Sequence, residues 1–134
     1  MLEERPVRAE RARILVVEDE VAIAVLLEEE LEEAGYDPVG PAGTVEQAAG
    51  LIANERIDAA VLDINLSGRS VGEILTPLVE RGIPFVFMTG YDELALPSWV
   101  PDVQRFVKPF HVPDLVARLP DILQRARQEP QETG

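Results

Sequence analysis

A chain of 134 residues, 46% of them hydrophobic, is enough for one domain with one core, and a domain of that size buries about two-thirds of the surface its unfolded form exposes. The formal net charge of -13 would be repelled by nucleic acid and by anionic membranes, so neither is an expected partner and a neutral or basic protein surface is. The absence of cysteine excludes a disulfide framework and a thiolate metal site, and no apolar run approaches the roughly 20 residues of a membrane span. The charged N-terminus lacks the apolar stretch of a signal peptide, and the expectation is a soluble, cytoplasmic protein.

Residues 1–12 mix arginine and glutamate with little apolar periodicity, and residues 128–134 are polar with Pro130 and Gly134. Both read as flexible tails around a single domain at 13–127. The first strand is expected at 14–17, and Glu18 and Asp19 follow it directly. A helix starting near Glu20 carries Ala24, Leu27, Leu31 and Ala34 on one stripe and ends where Gly35 can turn left-handed. Glu28, Glu29, Glu30, Glu32 and Glu33 form its solvated face. A short strand at about 38–41 leads to a helix that opens with Thr44 and Gln47 in capping-box spacing and buries Val45, Ala48 and Ile52.

The third strand, at 59–62, runs into Asp63. Ser70 and Glu73 suit the start of the next helix, which Pro77 either kinks or restarts. A fourth strand at 85–88 precedes Thr89. Residues 92–101 hold Pro97 and Pro101 and only a weak apolar pattern, so an irregular, mobile segment is expected there rather than a full helix, with Trp99 as its hydrophobic plug. Phe106 and Val107 form a fifth strand before Lys108. His111 reads as a loop or helix-start residue, and the last helix carries Val112, Leu115, Leu119, Ile122 and Ala126 inward, with a kink at Pro120. Strands apolar on both faces, alternating with helices, make the fold class α/β with a parallel sheet covered on two sides.

Four of the five strand ends therefore carry a polar group. Strands running the same way deliver their C-terminal ends to one edge of the sheet, the edge at which such folds bind ligands. Three carboxylates brought together there repel one another unless a divalent cation joins them, and hard oxygen donors suit Mg2+. A hydroxyl and an ammonium beside them are what an incoming phosphoryl group needs. Taken singly, each residue has a duller role: Glu18 or Asp19 as a helix cap, Asp63 as a turn starter, Thr89 bonded to a loop amide, Lys108 as a surface charge. Together those roles require an independent accident at each of those strand ends.

Val16-Val17-Glu18-Asp19-Glu20, Leu62-Asp63-Ile64-Asn65, Met88-Thr89-Gly90 and Lys108-Pro109-Phe110 resemble, in order and spacing, the motifs of response-regulator receiver domains. That resemblance implies a flavodoxin-like (βα)5 fold with strand order 2-1-3-4-5 and two-component signalling, in which a histidine kinase transfers a phosphoryl group to Asp63. It further implies that Asp19 and Asp63 bind Mg2+ directly, Glu18 directly or through a water, and Asn65 through its backbone carbonyl. Thr89 would bond a phosphoryl oxygen and Lys108 would pair with phosphorylated Asp63, with the Lys108–Pro109 bond cis as is usual in the family. Such a protein is a phosphoacceptor rather than an enzyme, beyond promoting its own phosphorylation and dephosphorylation.

Two departures stand out. The aromatic residue expected three positions before the lysine is Arg105, so the usual aromatic switch is absent. The proline expected four residues after the phosphoacceptor is replaced within Ser67-Gly68, a more pliant loop. Residues 84–91, Pro84-Phe85-Val86-Phe87-Met88-Thr89-Gly90-Tyr91, resemble the FAT GUY subgroup, with Met88 where that motif has alanine. The subgroup resemblance implies a stand-alone receiver with a degraded fourth helix, a flexible segment before strand five and a kinase of the HWE or related type. Gly90 leaves room near the site, and Tyr91 either shields the acyl phosphate or packs the loop. Tails too short for an output domain leave two routes for the signal: binding of an unknown downstream protein, or a phosphate-sink role. The alternative is a phosphorylation-independent adaptor on the same fold. A haloacid-dehalogenase-like phosphohydrolase would need a second acid where Asn65 stands, and a nucleotide or flavin carrier would need a phosphate-cradling loop where Glu18-Asp19-Glu20 stand.

Overall fold

The computed structural model describes residues 11–66, 69–70, 72–89, 105–107 and 110–128. In chain order its elements are β1 (Arg13–Val17), α1 (Val21–Glu33), β2 (Asp37–Ala42), α2 (Val45–Asn54), β3 (Ala59–Asp63), β4 (Asn65–Leu66), β5 (Arg69–Ser70), α3 (Gly72–Glu80), β6 (Phe85–Thr89), β7 (Arg105–Val107) and α4 (Val112–Gln128). Five of the strands form one sheet in the order β2-β1-β3-β6-β7, with every pairing parallel. Counted within that sheet the order is 2-1-3-4-5, the flavodoxin-like arrangement expected from the motifs.

Because side chains alternate across a strand, each apolar run feeds two cores. Leu15, Val17, Ala60, Leu62, Phe85 and Phe87 face α2 and α3, joined by Val45, Ala48, Ile52, Ile74 and Leu78. Ile14, Val16, Ala59, Val61, Val86 and Met88 face the other way, against Leu27 and Leu31 of α1 and Leu115, Val116 and Leu119 of α4. Phe85 and Phe87 meet edge-on with ring centroids 5.4 Å apart, an arrangement that adds to area burial. Ahead of β1, Ala12 packs against the α1–α4 core, and its carbonyl accepts the Asp37 N–H at 2.9 Å.

The helix ends follow from local chemistry. At the end of α1, Gly35 has φ +94°, and the N–H groups of Gly35 and Tyr36 return to the carbonyls of Glu32 and Leu31. This doubly bonded left-handed turn closes the helix at Glu33. It also corrects one expectation, since Ala34 leaves the buried stripe and is exposed. At α2, Thr44 Oγ1 accepts the Gln47 N–H at 3.0 Å as the capping box requires, but Gln47 Oε1 accepts the N–H of Gly43 at 2.8 Å, one residue earlier than expected. Ser70 is not the cap of α3. It pairs with Asn65 in a two-stranded antiparallel ladder, and the helix begins two residues later. Pro77 lies inside α3, which runs through it without restarting. In α4, Leu115, Leu119 and Ile122 are buried as expected and Val116 joins them, while Val112 is only partly buried. The irregular segment expected at 92–101, with Trp99, lies outside the described residues.

Candidate functional site

The register of the sheet sets the height of each polar residue. Val17 pairs with Leu62, so Glu18 and Asp63, the next residues, emerge side by side at the C-terminal edge. Asp63 pairs with Met88, so Thr89 closes β6 one step higher, and Thr89 pairs with Val107. Residues separated by more than seventy positions thus meet at one edge for a backbone reason. Asn65 opens β4 two residues after Asp63. Lys108, Pro109, Gly90 and Tyr91 lie outside the described residues.

Glu18, Asp19 and Asp63 come together as the sequence predicts: carboxylate oxygens, one from each, all lie within 4.8 Å of one another. Glu18 is 2% exposed and Asp63 6% exposed, whereas Asp19 faces solvent. Glu18 Oε2 accepts the Glu20 N–H at 3.0 Å, which aims its carboxylate back across the start of α1. Two unit charges at such a separation repel by about 3 kcal/mol at an effective dielectric near 20. A cation converts that cost into attraction. The donors are hard oxygens, and the described residues bring no imidazole or thiolate into the cluster, so the set fits a hard divalent ion rather than a soft one.

Three features were not read from the sequence. The N–H of Glu18 donates to the Ala42 carbonyl at 2.9 Å, which ties the first acid to β2. The β4–β5 ladder occupies the ground after Asp63, where a proline was missing. Val21, Val25 and Leu26 are 74%, 43% and 52% exposed on the first turns of α1, next to the acids. The signal for this last feature was present: residues 21–27 are apolar all round, and the buried stripe uses only part of them. Arg105 opens β7 with an exposed side chain, while the neighbouring Phe106 packs inward against Phe110, with centroids 5.9 Å apart, under the Arg118 guanidinium.

A family model described as "Response regulator receiver domain" matches residues 14–120. The transcriptional regulatory protein PdtaR of Mycobacterium tuberculosis is 29% identical over 120 residues, which cover 87% of this chain and 58% of that protein. The chain therefore spans little more than half the length of that relative. The sporulation initiation phosphotransferase F of Bacillus subtilis is 30% identical over 108 residues, covering 77% of this chain and 86% of that one. Among solved structures, SdrG from Sphingomonas melonis is 39% identical with a TM-score of 0.73, over 85% of this chain and 97% of that chain.

Proposed function

The chain belongs to the family of response regulator receiver domains, and on that premise we propose that it accepts a phosphoryl group on Asp63 from the phosphohistidine of a histidine kinase. The observation that carries this reading is the convergence of Glu18, Asp19 and Asp63 within 4.8 Å at the end of β3. An Asp63 carboxylate oxygen attacks phosphorus, an O–P bond forms as the N–P bond breaks, and the electron pair returns to the imidazole nitrogen. Glu18, Asp19, Asp63 and the Asn65 carbonyl hold Mg2+, which when bound neutralises charge gathering on the phosphoryl oxygens. Thr89 bonds one of those oxygens, and Lys108 pairs with the acyl phosphate.

The finer reading keeps the chain in the FAT GUY subgroup, with an HWE-type kinase as donor. Residues 84–91 support it. Signal then leaves by contact with a downstream protein or by onward phosphoryl flow in the cytoplasm, and the charge of -13 argues against nucleic acid as the target. The test is to record amide NMR spectra of the chain with Mg2+ and acetyl phosphate. Large shifts at Asp63, Thr89 and the residues leading to β7 support the reading. Unchanged spectra with Mg2+ bound would overturn it in favour of an adaptor that works without phosphorylation.

A further inference from the structure

The pairing of β1 with β2 contains an irregularity placed beside the acids. Leu15 pairs with Val39, but Val17 pairs with Ala42. One residue of β1 thus faces two of β2, Gly40 and Pro41, and the extra residue is a bulge of a kind uncommon in parallel pairs and often found next to functional sites. Its effect on side-chain parity is visible: Val39 and Ala42, three apart, are both buried in the α2–α3 core, whereas in a regular strand they would face opposite sides. Its effect on the site is more direct. The shift presents the Ala42 carbonyl to the Glu18 N–H at 2.9 Å, carrying the ladder one residue past β1 and onto the first acid.

Gly40 is required for this geometry. Its φ is +99°, and a Cβ there would lie 2.9 Å from Ala42 N of its own strand and 3.1 Å from Val16 O of β1, so the local turn of β2 excludes a side chain and the neighbouring strand leaves little room for one. Beyond the bulge the chain passes behind the second acid: a Cβ on Gly43 would sit 3.9 Å from Asp19 Cα. Gly43 is in turn held by its N–H bond to Gln47 Oε1 at 2.8 Å. Gln47 itself is exposed and contributes nothing to either core.

We infer that the β2 bulge and the Gln47–Gly43 clasp fix the backbone of Glu18 and Asp19 for cation binding, with Gln47 as a positioning residue of the metal site. The inference rests on the metal-site reading above. Its logic is that of an outer shell: ligands that must meet an ion within a few tenths of an ångström depend on whatever holds their backbone. The test titrates Mg2+ into the full chain, reading the Glu18, Asp19 and Asp63 amide shifts, and records thermal unfolding without Mg2+. Gln47→Met keeps the length of the side chain and removes the acceptor, leaving the Thr44 cap intact because that bond uses the backbone N–H of residue 47. Mg2+ affinity is expected to fall by up to about 10-fold, since Gln47 acts through the Gly43 backbone and not on a ligand itself, with the metal-free unfolding midpoint lowered only slightly by the loss of one exposed capping bond. Gly40→Ala is expected to lower both. Unaltered affinity in Gln47→Met, or a loss that merely tracks its thermal stability, overturns the positioning role. No binding by the unaltered chain overturns the metal-site reading itself.

Discussion

The two edges of the sheet use acidic side chains in opposite ways. At the N-terminal edge, Arg13 donates from Nε to the Arg56 carbonyl at 2.8 Å, and its guanidinium pairs with Glu55 at 2.7 Å and Asp37 at 3.5 Å. Asp58 there accepts from the Arg13 N–H and from Arg56, each at 2.8 Å. Every acid in that network faces an arginine. At the C-terminal edge, Glu18, Asp19 and Asp63 face one another. The lesson is that acids each set against an arginine tie segments of the fold together, whereas three acids brought within 4.8 Å of one another form a set of oxygen donors that a cation can join.

That contrast predicts a separation of function from stability. The largest effect is expected for Asp63→Asn, which abolishes acyl-phosphate formation with labelled acetyl phosphate while shifting unfolding by no more than about 1 kcal/mol; labelling retained by the variant would remove Asp63 from its role. Next, Mg2+ at ten times its Kd stabilises the unaltered chain by about 1.4 kcal/mol through binding to the folded state alone, read as a rise in the midpoint of thermal unfolding, and stabilises Asp63→Asn less. A midpoint that ignores Mg2+ would erase the distinction between the edges.

At the opposite edge, Arg13→Met is expected to cost about 1 kcal/mol, because the pairs it loses are partly exposed and screened. Denaturant unfolding at low and high salt checks this, the deficit shrinking as salt rises, and Mg2+ affinity stays as it was. A change in Mg2+ affinity would mean that the two edges are coupled. The smallest effect concerns Tyr36, just ahead of β2, whose phenol is raised above its ordinary 10.0 by burial. The folded state then holds its proton more tightly than the unfolded chain, so the tyrosine's contribution is present below pH 10 and is lost as pH rises through the higher folded value. Compared with Tyr36→Phe, the unaltered chain is expected to lose slightly more stability above about pH 10, measured by urea unfolding.

Much of this could be read residue by residue. Doubly apolar runs at the strands announced a covered parallel sheet, Gly35 announced the end of α1, and Thr44 announced the start of α2. Ser70 misled because cap chemistry is local, whereas its pairing with Asn65 depends on the chain turning back on itself. Ala34 fitted the periodicity of α1 but fell beyond the turn that ends it. The site was legible because each of its residues follows an apolar run, and parallel strands bring such positions to one edge whatever the loops between them do.

The sequence by itself determined the α/β class, the strand order through its resemblance, and the identity of the three acids, since all of these depend on residue type and spacing. Only the tertiary structure decided that Glu18 and Asp63 are buried while Asp19 meets solvent, that β2 carries an extra residue opposite Val16, and that Gly43 stands behind Asp19. Those facts arise from the register between strands and the approach of one backbone to another, and such relations between distant segments are set by packing, not by the local preferences of either segment.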